Sequence, residues 1–126
     1  MVGIVIVSHS EALAKAVVDL AHLMAADVVM RPAGGLEDGS FGTSYDRIEE
    51  AIRDIYTEDG VIVIMDMGSS VMTTELVLED MEDMNVKMAD CPIVEGAIAA
   101  AVSAGAGSDL QTIIKELEEE DYRKGV

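Results

Sequence analysis

The stretch IVIVSHSEALAKAV, Ile4 to Val17, passes from a dry apolar run to a segment of helical periodicity within three polar residues. The apolar run it ends, Val2–Val7, reads as a strand buried on both faces, as parallel sheets require. Ser10 stands where an N-cap belongs, so a helix is expected from Glu11. His9 falls in the turn between them.

Working outward, further runs of strand length appear at Asp27–Met30, Val61–Met65 and Val86–Ala89. Helical faces separate them. Ala12, Leu13, Ala16, Val17, Leu20 and Met24 share one face, Ile48, Ala51, Ile52 and Ile55 a second, and Val71, Leu76, Val77 and Met81 a third. An Ala-rich helix over Ile93–Ala104 and an amphipathic one over Asp109–Glu120 follow. This alternation predicts an α/β fold, a parallel sheet with helices on both faces, in one domain spanning 1–126. The stretch EGAIAAAVSAGAG permits close packing, against the sheet in preference to a subunit interface, and the tail KELEEEDYRKGV reads as a solvated helix end.

With 126 residues the chain can bury a core, which must be aliphatic because Trp is absent and only Phe41, Tyr45, Tyr56 and Tyr122 are aromatic. Twenty-five acidic residues against 8 basic ones give a net charge of −17, which disfavours nucleic acid and anionic membrane surfaces. No apolar run reaches membrane-span length, the start lacks the marks of a signal peptide, and the single Cys91 suits a reducing compartment, so a cytoplasmic location is expected.

Ligands of open parallel sheets sit beyond the carboxyl ends of the strands. The informative segments are therefore Ser8-His9-Ser10, RPAGGLEDGSFGTS (Arg31–Ser44), DMGSS (Asp66–Ser70) and DCPIVEGA (Asp90–Ala97). Taken alone, His9 is a turn histidine satisfied by backbone. Asp66 changes that reading, because first and third strands are neighbours in a doubly wound sheet and its carboxylate can reach the imidazole. A carboxylate on one ring nitrogen fixes the tautomer and leaves the other as a nucleophile, able to accept a phosphoryl group. Such transfer needs donors for phosphate oxygens and no metal. GSFGTS (Gly39–Ser44) and GSS (Gly68–Ser70) each open a helix and offer free amides, with hydroxyls from Thr43 and Ser69.

Other chemistries lack their parts. No Walker A lysine, GxGxxG or GxSxG is present, so no nucleotide cofactor is expected. Zinc lacks ligands, since Val94 stands where a deaminase pattern needs its second cysteine and His22 lies inside the first helix, where a surface or interface role is expected. Asp66 also matches a receiver domain's acceptor position, but that fold wants an acidic pair where SHS stands.

IVIVSHS, MDMGSS (Met65–Ser70) and PIVEGAIAAAVSAGAG (Pro92–Gly107) together resemble the DhaM family, phosphotransferase subunits of phosphoenolpyruvate-dependent dihydroxyacetone kinases with the mannose-type enzyme IIA fold. The resemblance covers nearly the whole chain. It implies a four-stranded sheet in the order 2-1-3-4 with about five helices. It implies that His9 takes phosphate from the carrier HPr, with Asp66 as acidic partner, and passes it to ADP on the subunit DhaL, which serves DhaK. Gly42, Thr43, Gly68 and Ser69 match phosphate-site positions. Homodimers are implied, with HPr as a separate protein. Two alternatives remain open: an enzyme IIA component of a mannose-type sugar permease, and a phosphorylation-dependent regulatory module.

Overall fold

The computed structural model describes residues 1–123. Its elements run β1 (Gly3–Ser8), α1 (Glu11–Met24), β2 (Met30–Gly34), α2 (Tyr45–Ile55), β3 (Val61–Met65), α3 (Ser69–Glu79), β4 (Val86–Ala89), α4 (Ile93–Gly105) and α5 (Leu110–Glu119). The sheet is parallel throughout, in the order β2-β1-β3-β4. β1 is central, buried along its whole length, and its register puts Val7 beside Met65 of β3 and Ser8 beside Gly34 of β2.

Strand alternation divides the core into two layers. Ile4, Ile6, Ile62 and Ile64 face α1, α4 and α5, while Val5, Val7, Val61 and Val63 face α2 and α3. Gly96, Ala97, Ala100, Ala101 and Ala104 of α4 are buried, so the Ala-rich run packs inward as expected. Ser10, Ser44 and Asp109 cap α1, α2 and α5 through their side-chain oxygens. Of the tail expected to form a solvated helix end, residues 124–126 lie outside the described residues.

Three expectations need correction. β2 is not Asp27–Met30 but Met30–Gly34, which includes Pro32. An edge strand pairs on one side only, so it tolerates proline and needs no fully dry sequence. Helix α1 does not turn Ala12, Leu13, Ala16, Leu20 and Met24 inward; it buries Ala14, Val17, Val18 and Ala21, leaving Leu13, Leu20 and Met24 exposed. The buried arc is the one with small residues, which lets the helix lie close on β2: a Cβ on Gly34 would stand 2.4 Å from the Ser10 carbonyl oxygen and 2.8 Å from the Ala14 methyl. Helix α3 buries Ser70, Thr74 and Val77, with Met81 buried just beyond its end, while Leu76 is exposed and Val71 half-buried. Its first inward position belongs to Ser70 because that hydroxyl is drawn to Asp66.

Candidate active site

β1 and β3 end side by side and deliver His9 and Asp66 to the same edge of the sheet. The Asp66 carboxylate is the hub there. Oδ2 accepts from the Ser8 hydroxyl at 2.9 Å and the His9 amide at 3.0 Å, while Oδ1 accepts from the Met67 amide and the Ser70 hydroxyl, both at 2.7 Å. His9 Nδ1 approaches Oδ1 at 3.0 Å. Burial alone would raise the carboxyl's pKa; the hydrogen bonds from Ser70, His9, Ser8 and Met67 outweigh it and hold Asp66 at about 2. Asp66 is therefore ionised at neutral pH.

The tautomer of His9 follows. A carboxylate only accepts, so Nδ1 carries the proton and Nε2 the lone pair. Nε2 meets the Ser69 hydroxyl at 2.7 Å, and that hydroxyl must donate to it. Thr43 completes the cluster, its Oγ1 lying 3.1 Å from Ser69 Oγ and 3.3 Å from Ser70 Oγ. The His9 side chain is 28% exposed, so the ring lies within reach of an approaching group, with the Ser69 hydroxyl resting on its outer nitrogen.

The two glycines do different things. Gly42, at φ 151, donates its amide to the His9 carbonyl at 2.9 Å, and a Cβ there would run into Leu36 at 2.8 Å. What Gly42 gives the site is backbone placement. Gly68, at φ 49, opens α3 without a side-chain cap and with free space where a Cβ would stand. Among the described residues the amides of Gly68 and Ser69 donate to nothing, which leaves the positive end of α3 beside Nε2.

The structure thus draws together His9, Asp66, Thr43 and Ser69, with Gly42 and Gly68 shaping their loops. For two residues of the network the sequence points to the segment but not to the bond with Asp66. Ser8 is fully buried at the end of an otherwise apolar strand, and Ser70 stands one helical turn after Asp66. A hydroxyl closing a dry strand, and one spaced four residues from an acid across a helix start, were the available signals. The loop after β4, with Cys91 and Pro92, makes no hydrogen bond to this cluster among the described residues.

The arrangement can hold a neutral imidazole with an outward lone pair, beside hydroxyls and free amides. A family model for the PTS system fructose IIA component, EIIA-man, matches residues 3–114. The chain belongs to the EIIA-man family. Within that family it also belongs with the DhaM subunits. It is 37% identical to the "PTS-dependent dihydroxyacetone kinase, phosphotransferase subunit DhaM" of Lactococcus lactis, over 92% of this chain and 93% of that protein. It is 42% identical to a DhaM phosphoryl donor subunit of Listeria innocua, over 79% of this chain and 78% of that one. The Escherichia coli DhaM matches at 38% identity over 90% of this chain, which spans 26% of that longer protein. Among solved structures, the unknown-function protein EF1359 superposes with a TM-score of 0.86 at 29% identity, covering 99% of this chain and 98% of that one.

Proposed function

We propose that this chain is the phosphohistidine relay of a phosphoenolpyruvate-dependent dihydroxyacetone kinase: His9 takes phosphate from HPr and passes it to ADP bound on DhaL. The observation that carries the chemistry is the chain from Asp66 through Nδ1 and Nε2 to the Ser69 hydroxyl. Membership among the DhaM subunits favours the kinase over a sugar permease.

In the forward step the Nε2 lone pair attacks phosphorus on the carrier's phosphohistidine. The new N–P bond forms as the carrier's N–P bond breaks, its electron pair returning to the carrier's ring. The His9 ring gains positive charge, which the ionised Asp66 balances through the Nδ1 proton without that proton having to move. The Ser69 hydroxyl turns from Nε2 to a phosphoryl oxygen, joined by the Thr43 hydroxyl and the free amides of Gly68 and Ser69. In the second step a β-phosphate oxygen of ADP attacks, and the electron pair of the N–P bond returns to Nε2.

The relay works in the cytoplasm, where phosphoenolpyruvate is its ultimate source of phosphate, and resemblance to homodimeric subunits adds a second copy of this chain as a partner. The deciding experiment adds enzyme I, HPr and labelled phosphoenolpyruvate, then DhaL with ADP. Label is expected on His9 in an acid-labile, base-stable bond and afterwards in ATP. Retention of label on His9 in the presence of DhaL and ADP sinks the kinase reading and leaves the permease component and the regulatory module.

A further inference from the structure

More donors converge on the Asp66 carboxylate than it can fully serve. Its two oxygens offer about four lone-pair sites, yet the Ser8 hydroxyl and the His9 amide meet Oδ2, while the Met67 amide, the Ser70 hydroxyl and His9 Nδ1 all meet Oδ1. On that shared oxygen the ring is the most distant of the three, at 3.0 Å against 2.7 Å for each of the others. Ser8 and Ser70 are fully buried, so neither hydroxyl can turn to water instead.

The two amides stand where the strand ends put them, but the hydroxyls need another account. Ser8 closes a strand that is otherwise apolar. Its Oγ accepts from the Ser10 amide at 3.0 Å, which leaves its own proton to point at Oδ2. The turn would be served by accepting alone.

We propose that Ser8, together with Ser70, sets how firmly His9 holds a phosphoryl group, by drawing from Asp66 charge that would otherwise steady the phosphorylated ring. This rests on the proposed relay, in which the N–P bond forms on Nε2 while Nδ1 keeps its proton. The ring is then a cation; when the N–P bond breaks, its electron pair returns to Nε2 and the ring is neutral again. The attraction between ring and carboxylate is therefore greater in the phosphorylated state, and anything that weakens the carboxylate as an acceptor disfavours that state more than the free one. A carboxylate devoted to the ring alone would turn phospho-His9 into a trap. One already engaged by other donors still orients the imidazole, and it leaves the phosphoryl group easy to hand to a nucleoside diphosphate. Ser8 touches no reacting atom; it is a positioning residue that acts through Asp66.

The exchange of phosphate between phosphorylated HPr and this chain, with no enzyme I and no acceptor present, reads the balance directly. Ser8→Ala is expected to shift that equilibrium about five-fold toward phospho-His9, and Ser70→Ala, which relieves Oδ1 itself, at least as far. Loss of a merely structural tie has the opposite sign, because a carboxylate that wanders from Nδ1 holds the cationic ring less well. A second readout needs no phosphate: with one rival gone the Nδ1 hydrogen bond shortens, and its proton resonance moves downfield in both variants. Circular dichroism checks the fold, and should Ser8→Ala fail to fold, Ser70→Ala carries both measurements. A folded variant whose exchange equilibrium stays at the wild-type value or moves toward HPr overturns the proposal, and so does an unmoved Nδ1 resonance. A wild type that takes no phosphate from HPr strikes the relay instead, and the resonance then decides alone whether the other donors weaken the hold of Asp66 on the ring.

Discussion

The chain has two histidines, and their surroundings differ: His22 is a structural tie, and His9 has the setting of the nucleophile in the proposed relay. His22, in the last turn of α1, uses Nε2 to donate to the Val28 carbonyl at 2.9 Å, which fastens the end of the helix to the approach of β2. His9 faces a carboxylate through Nδ1 and an open edge through Nε2. The ring is the same. What differs is which nitrogen carries the proton, and whether the other one points at hydroxyls and free amides. In the proposed relay, the acceptor behind His9 is what fits it to carry phosphate.

The contrast can be broken most severely at the ring itself. His9→Gln is expected to abolish labelling from phosphoenolpyruvate through HPr, whereas His22→Gln labels at the wild-type rate; loss of label in both, or in neither, removes the distinction. Asp66→Asn is the next largest change. It removes the acceptor that fixes the tautomer, and single-turnover transfer should slow on the order of 10²- to 10⁴-fold with the fold intact. A rate within a factor of two of wild type would return Asp66 to a turn-stabilising role. Ser70→Ala takes one donor from Oδ1 and is expected to slow transfer about ten-fold and to destabilise the fold by about 1 kcal/mol, both restored by Ser70→Thr.

The smallest effects are on stability. Asp66 titrates at about 2 in the fold against an ordinary 3.8, so its contribution is present above about pH 4 and is lost as pH falls toward 2. Denaturant unfolding of the wild type should therefore lose about 2 kcal/mol more across that interval than Asp66→Asn does. A parallel fall in the two proteins would show that the carboxylate is not held as described. His22→Gln should cost about 1 kcal/mol by the same assay, the value of one hydrogen bond.

Much of this was legible in the sequence where one physical signal dominated. Val61–Met65 is a strand because an unbroken apolar run of that length leaves little choice, Val86–Ala89 gives the weaker signal of a short run broken by Lys87, and α2 shows the face its periodicity predicts because its other residues are charged. The pairing of His9 with Asp66 followed from strand order. α1 was misread because a helix apolar on most of its surface offers two candidate inward faces, and only the close approach at Gly34 selects between them. β2 was misplaced because an edge strand carries a weaker hydropathy signal. The role of Ser8 and Ser70 as donors to Asp66 is not legible because a buried hydroxyl is invisible until its acceptor is placed, and Asp66 reaches Ser8 across strands.

The Ser69 hydroxyl on Nε2 has a consequence for the idle protein. A bare imidazole lone pair at a protein surface would react slowly with whatever electrophile diffused past, and each such event would retire one copy of the relay. With the hydroxyl in place the nitrogen is occupied until a carrier arrives with something better to hold. In the proposed relay, fidelity begins with a resting state that keeps the nucleophile quiet.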